Sequence, residues 1–344
     1  MATSVNQNVA RAIAAQLGKN RPEPVKATSI ATEPAVAGEG QQLFSKVFGF
    51  TPAIGDFPVN VLEDNPNPEI ARLVPKLDSD YVVQREQAAL LVAGMQDADK
   101  TLINGPTGSG KSSLVKYICA KLNRPFIRIN MSGDVESASL FGTLVVRGGA
   151  TVWEDGAITE AVKYGAVCLV DEWELMPAEI AMGMQNLLED GGYLYLKEMP
   201  GDSNDRTVVP HDDFRLVFAG NTVGQGDTTG AFTGVGVQNT ATIDRFTNTI
   251  YLGYLTAKHE IEIITSKAEV PVDLAKNMVR FAGLIRNAYD SGKIGLTMSP
   301  RTLINWARKC KRYTPEYALN VAYMQKLLLD DQKSAQELYA KVFG

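Results

Sequence analysis

The octapeptide Gly105-Pro106-Thr107-Gly108-Ser109-Gly110-Lys111-Ser112 constrains this chain more than any other feature. It fits the pattern G-x4-G-K-[ST] in full, follows the apolar run 100–104 and opens a helical stretch over 112–122. A strand, a glycine-rich turn and a helix in that order form a cradle for phosphates. Gly108 and Gly110 let backbone N–H groups curl round an anion, and the helix N-terminus adds positive potential. Lys111 then reaches the β and γ phosphates, and Ser112 supplies a hydroxyl for Mg²⁺. The candidate nucleotide-binding residues run from Gly105 to Ser113, and ATP with Mg²⁺ is the implied pair of ligands. Alone, the pattern says only that phosphates are bound, and it also arises by chance in unrelated chains.

Further motifs follow in order. Val167-Cys168-Leu169-Val170-Asp171-Glu172 is an apolar strand ending in two acids. Asp171 is placed to hold Mg²⁺, directly or through water, and Glu172 to polarise the attacking water. The alternative is a strand end whose acids cap the next helix. Leu216 to Asn221 is a second buried-looking strand, and its terminal amide is a candidate to hold the water or sense the γ phosphate. A turn-forming Asn is the competing reading. Arg245, in Asp244-Arg245-Phe246, is a candidate arginine finger acting on a neighbouring subunit's nucleotide, against a plain surface cation. Ser299-Pro300-Arg301 opens a later helix, where Pro suits the first turn. Arg301 would face the phosphates from there, or else lie solvated.

These motifs sit in an alternation of short apolar runs and helical stretches. Candidate strands are 100–104, 125–130, 166–171, 214–220 and 249–252. Short apolar strands separated by helices predict an α/β core with a mainly parallel sheet between helices. After residue 255 the pattern is helical only, over 257–268, 273–291, 299–313 and 315–342, which reads as a small all-α lid. The expected organisation is a flexible tail at 1–44, an irregular segment packed on the core at 45–81, the α/β core at 82–255 and the lid at 256–344. A length of 344 residues accommodates such units, and 45% apolar residues suffice for a sizeable core.

Composition excludes several classes. A net charge of −5 provides no broad basic field, which argues against nucleic acid as the main partner. Cys119, Cys168 and Cys310 form no CxxC pair and read as buried thiols. With His211 and His259 the only histidines, a protein-built zinc site is not expected. No apolar stretch reaches the roughly 18 residues that span a bilayer, and no signal-peptide core opens the chain. A reduced, cytoplasmic setting without membrane contact is the expectation.

The ordered set of loop, Asp-Glu strand, Asn strand, Asp-Arg-Phe and Ser-Pro-Arg resembles the AAA+ ATPases, and more narrowly their MoxR and chelatase group. That group carries an insert in the second helix and a hairpin before the Asn-bearing strand. Residues 140–146 and 150–156 about Arg147-Gly148-Gly149 read as the first hairpin; residues 193–196 and 207–209 read as the second. The stretch Asn221-Thr222-Val223-Gly224-Gln225-Gly226-Asp227-Thr228-Thr229-Gly230 is similar to the NTVG-x-GDTTG run of the CobS-like subunits of aerobic cobaltochelatase. Val47-Phe48-Gly49 and the Pro-rich segment after it resemble that family's entry to the core. The resemblance covers residues 45–260 well and the lid more loosely.

The resemblance implies a homo-oligomeric ring, hexameric in the family, coupling ATP hydrolysis to remodelling. It also implies a von Willebrand-type partner with a metal-ion-dependent adhesion site, and a large client subunit that inserts Co²⁺ into a corrin ring. A MoxR-like motor with another client is the nearest alternative. A DNA motor gripping with its hairpins is opposed by the acidic balance and by a first hairpin whose turn carries only Arg147. A scaffold with a structural nucleotide is opposed by intact Lys111, Asp171 and Glu172. Tyr193 and Tyr195 read as hairpin packing, with a pore lining as the alternative.

Overall fold

The structure, a computed structural model, describes residues 36–38, 40–222 and 238–344. The run Val223 to Gly230 that carries most of the cobaltochelatase-like signature lies outside the described residues. The chain enters through strand β1 (Gln41–Leu43), helix α1 (Phe44–Phe48) and strand β2 (Pro58–Asn60), with β1 and β2 antiparallel. The packed segment thus starts before residue 45. Phe44, fully buried, stacks on Phe48 at 4.4 Å and meets Phe50 and Phe57 at 5.2 and 5.1 Å. Asp56 accepts from the Ser45 amide and hydroxyl at 2.9 and 2.6 Å, so the aromatic knot is closed by polar bonds at its rim. Helix α2 (Pro68–Ala71) follows an Asn67 cap, and α3 (Arg85–Gln96) leads into the core.

The core alternates as the apolar runs predict. Strand β3 (Thr101–Asn104) precedes α4 (Lys111–Lys121), and β4 (Phe126–Asn130) precedes α5 (Ser137–Phe141). Then come the hairpin β5 (Gly142–Arg147) and β6 (Ala150–Asp155), helix α6 (Ala157–Tyr164) and strand β7 (Val167–Asp171). Leu140 and Phe141 close a helical turn instead of opening the hairpin strand. Gly148 and Gly149, at φ +60° and +83°, supply the two positive-φ positions that a tight hairpin turn needs. Helix α7 (Ala178–Met184), the short pair β8 (Leu194–Tyr195) and β9 (Thr207–Val208), strand β10 (Arg215–Gly220), helix α8 (Thr240–Asp244) and strand β11 (Asn248–Tyr251) complete it.

Five of these strands form one parallel sheet in the order β11-β3-β10-β7-β4. Alternate residues face opposite layers. Val167 and Leu169 join one buried cluster with Ile118 and Phe44, while Cys168 and Val170 join another with Ile158 and Phe218. The three central strands, β3, β10 and β7, are buried throughout, which is why they read as mostly apolar runs, while the edge strands β4 and β11 are partly exposed.

The lid holds α9 (Ala257–Ala268), α10 (Val272–Asp290), α11 (Pro300–Lys309), α12 (Pro315–Ala322) and α13 (Leu329–Phe343). Its own core centres on Phe281, Trp306 and Tyr323, all fully buried. Ser299 and Thr314 cap α11 and α12, each followed by proline in the first turn. The expected helix over 315–342 is broken in two. Tyr323, at φ −139° and ψ −53°, leaves the helical region and its hydroxyl donates to the Leu296 carbonyl at 2.5 Å. Burial of that ring with its polar tip satisfied outweighs helix continuation.

Candidate active site

The phosphate loop leaves β3 and is pressed against the chain on both sides. A Cβ at Gly105 would lie 2.0 Å from the Leu252 carbonyl oxygen, so only glycine fits there. Lys111, the first residue of α4, is 8% exposed. Its ammonium donates to the carbonyls of Gly105 (2.8 Å) and Pro106 (3.2 Å) and to Asn221 Oδ1 (3.0 Å). Burial holds the Lys111 pKa below its usual value, opposed by the charges of Asp171, Glu174 and Glu172. Thr107 Oγ1 also donates to Asn221 Oδ1, at 3.3 Å.

Asp171 ends β7 and is buried. Its Oδ2 accepts from Ser112 Oγ at 2.5 Å and from Arg128 Nε and Nη2 at 2.9 and 2.7 Å. Glu172, next in the chain, sits at φ +56° and ψ +38°, a left-handed conformation that costs a non-glycine residue about 1 kcal/mol. Glu174 is 2% exposed, and its Oε1 accepts from the amides of Asn221 (2.6 Å) and Thr222 (3.4 Å). Burial pushes its carboxyl above the usual range, against the lowering effect of those amides and of Lys111.

These groups line a polar chamber of about 470 Å³ that also contains Arg301. A second chamber of about 290 Å³ adjoins it, walled by Tyr81, Val82, Leu255, Ile263 and Ile304. Gly108, Gly110, Ser113 and Arg301 border both, and Ser109 borders the second. A polar end that carries Lys111, Arg128 and Arg301 beside three carboxylates, joined to a partly apolar end, suits the two halves of a nucleoside triphosphate with its metal ion. Ser112 and Asp171 offer hard oxygen donors side by side, and among the described residues no larger group of His, Cys, Asp or Glu is assembled. That sparse donor set suits Mg²⁺, which is held by one or two protein groups plus phosphates and water.

Two family descriptions match consecutive parts of the chain: AAA domain (dynein-related subfamily) over residues 100–246, and CbbQ/NirQ/NorQ C-terminal over residues 260–342. The chain is 32% identical over 281 residues to aerobic cobaltochelatase subunit CobS of Sinorhizobium sp, covering 79% of this chain and 83% of that one. It is an AAA+ ATPase of the CobS, NorQ, NirQ and CbbQ group. Protein NorQ of Paracoccus denitrificans is similar at 26% identity, over 77% of this chain and 94% of that one. A segment making up 11% of mouse von Willebrand factor A domain-containing protein 8 is 26% identical to 62% of this chain. The matched AAA domain contains the glycine-rich loop and both acids, Asp171 and Glu172.

The fold of the ATPase brings Lys111, Ser112, Asp171, Glu172, Asn221 and Arg301 to one chamber although they span much of the chain. Gly105 and Pro106 contribute carbonyls to Lys111. Arg245 lines neither chamber: its Nε donates to Glu189 at 2.5 Å and its Nη1 to the Ala241 carbonyl at 2.7 Å. Tyr193 and Tyr195 are exposed while Leu194 and Leu196 pack inward, so the hairpin's packing face is the leucine face. Two site residues escape sequence reasoning. Arg128 stands in a short strand with no motif around it, and becomes a partner of Asp171 only because β4 lies beside β7. Glu174 belongs to none of the motifs, and nothing local signals that it reaches the strand end at Asn221. Among the described residues, no helix is long and apolar enough to cross a membrane.

Proposed function

We propose that this ATPase is a ring motor in which each nucleotide is sandwiched between two copies of the chain, and that hydrolysis drives remodelling of a partner complex. One observation carries the reading: Arg245 lies outside both chambers of its own chain, whereas the other candidate groups line one chamber. Arg301 lines that chamber from its own chain, so if Arg245 also supplies transition-state charge, it does so to the nucleotide of a neighbouring copy.

The placement of the side chains supports the following roles. Lys111 and the loop amides bind the phosphates, Glu172 takes the proton of the attacking water, and Asn221 holds that water beside the γ phosphate. Arg301 contacts the phosphates from the lid. Ser112 and Asp171 would hold Mg²⁺, which would supply charge neutralisation for the transferred phosphate. A hexamer is the ring size we favour.

The partner we favour is a protein with a von Willebrand-type, metal-ion-dependent adhesion site. Support comes from the mouse relative, whose name gives it a von Willebrand factor A domain on the same chain as a segment like this one. A cobaltochelatase role, with a large client subunit inserting Co²⁺ into a corrin ring, is supported by the likeness to CobS. The likeness to NorQ equally supports a motor of the same build with a different client. A DNA-acting motor is disfavoured, because Arg147 at the first hairpin's turn is paired with Glu154 at 2.7 Å.

The test is a mixing experiment. Glu172→Gln should bind ATP without turning it over and accumulate as rings in mass photometry. Arg245→Ala should bind ATP normally, be inactive alone, and regain partial turnover when mixed with Glu172→Gln protein. Such mixed rings contain interfaces that pair an intact acid with an intact finger. Absence of any ring with trapped nucleotide, or full activity of isolated Arg245→Ala, refutes the ring reading.

A further inference from the structure

The lid contains a buried ion pair that the reading of the nucleotide site does not use. Arg286, on α10, meets Glu260, on α9, in a two-pronged contact: Nη1 to Oε2 at 2.9 Å and Nη2 to Oε1 at 2.8 Å. The Glu260 side chain is 2% exposed and that of Arg286 14%. The same guanidinium donates through Nε to the Met298 carbonyl at 2.8 Å. One of its faces lies over the Tyr254 ring, with Cζ 4.4 Å from the ring centroid.

Two of these contacts, those to Tyr254 and Met298, lead to the phosphate loop. Tyr254 belongs to the connection between β11 and α9, and its hydroxyl donates to the Thr107 carbonyl at 3.2 Å. Met298 precedes Ser299, which lies so close to Gly108 that a Cβ there would come within 2.6 Å of Ser299 Cβ. Two residues beyond Ser299, Arg301 enters both chambers. One planar cation therefore ties together the connection that touches Thr107 and the turn that touches Gly108 and presents Arg301. A guanidinium fixes these directions at once because its donors share a plane, and an ammonium cannot reproduce them.

We propose that Arg286 is a positioning residue for the ATPase reaction, setting Arg301 and the phosphate loop in one register so that lid position and γ-phosphate occupancy are coupled. Glu260 orients the guanidinium, and Tyr254 is the arm that reaches the loop. The proposal rests on the reading of Arg301 as a phosphate contact.

The test measures affinities for fluorescent ATP and ADP analogues with excess Mg²⁺, in the full-length chain. The variants are Arg301→Ala, Arg286→Lys, the double variant and Tyr254→Phe. Arg301→Ala should cut the ATP-over-ADP preference by roughly tenfold, the scale of one charge-assisted contact. Arg286→Lys should cut it by a similar factor, and the double variant should be no worse than either single one, since both break the same contact. Tyr254→Phe should weaken ATP and ADP equally, by roughly threefold, because Thr107 lies in the loop that wraps the phosphates common to both. If Arg301→Ala shifts the preference and Arg286→Lys does not, or if the two effects add, the coupling is wrong while the reading of Arg301 stands. An unchanged preference in Arg301→Ala overturns that reading and the coupling with it. Tyr254→Phe indistinguishable from the parent chain removes the connection arm. Should Arg286→Lys not fold, Glu260→Gln is read in the same way, as it weakens the two-pronged contact and leaves Arg286 in place.

Discussion

Glu174 offers the sharpest test of how the site is held together, because charge and hydrogen bonding can be separated there. Its Oε1 is the acceptor for the Asn221 amide at 2.6 Å and, more weakly, for the Thr222 amide at 3.4 Å. Its Oε2 meets no hydrogen-bond donor among the described residues. Glu174→Ala strands the Asn221 amide, at a cost of about 1–3 kcal/mol, partly offset because no carboxylate is then buried. The Asn221 side chain bridges Lys111 and Thr107, so loosening its backbone displaces the amide that, in the proposed function, holds the attacking water. A loss of about 1.4–2.7 kcal/mol of transition-state stabilisation corresponds to roughly a tenfold to hundredfold fall in kcat. Glu174→Gln keeps a carbonyl for the same amides and should stay within about threefold of the parent chain. The assay is phosphate release at saturating ATP, with nucleotide affinity measured separately. Equal losses in Ala and Gln would show that the charge, and not the acceptor, is what matters, and would refute this account; so would an Ala variant with parental kcat.

The same residue predicts a pH effect of defined sign. Burial raises the folded-state pKa of Glu174 above its ordinary value of 4.5. Between those two values the native chain keeps a proton that the unfolded chain has lost, so this group's contribution to stability falls as pH rises through that window. Glu174→Gln removes the dependence. The melting temperature of the Gln variant relative to the parent should therefore rise as pH is raised from about 4.5, the unfolded value, and then level off. A difference independent of pH would mean that the carboxyl is ordinary.

Two further substitutions test the loop and the entry segment. Gly108→Ala places a Cβ 2.6 Å from Ser299 Cβ at a position with φ +75°, so the loop or the lid must shift. Calorimetry should show ATP binding weakened by roughly tenfold or more, on the 1–2 kcal/mol scale of a left-handed non-glycine residue with the clash added. Phe44→Ala empties the centre of a four-ring aromatic knot and should cost about 3–5 kcal/mol in denaturant unfolding. An effect below about 1 kcal/mol would mean that the segment does not fold as part of the core.

The centre of the fold was legible because parallel strands buried on both faces leave a clear trace: short, mostly apolar runs without polar alternation. Strands 101–104, 167–171 and 215–220 could be read to within a residue on that basis. The break at Tyr323 was not legible, since the helical pattern continues through it and only the Leu296 carbonyl, distant in sequence, diverts the ring. Arg128, Glu174 and Arg286 were hidden for the same reason: each acquires its role from a partner selected by tertiary neighbourhood.

The sheet order explains why the hidden and the visible parts of the site converge. β10 is the fourth of the five parallel strands in the chain, yet it lies between β3 and β7, with Gly220 beside Asn104 and Ala219 beside Asp171. Asn221, one residue further, is thereby set between the phosphate loop leaving β3 and the acids ending β7. β4 borders β7 on the other side, with Asn130 beside Asp171, which brings Arg128 within reach of the same carboxylate. Local sequence marks the ends of strands; insertion of a late strand between two earlier ones decides which ends meet. Had β10 joined the sheet at its outer edge, Lys111 would have had no amide to bond, and Glu174 no strand end to hold. The position of the Asn221 amide and of its buried anchor Glu174 is therefore a consequence of topology, and neither could be inferred from the glycine-rich loop alone.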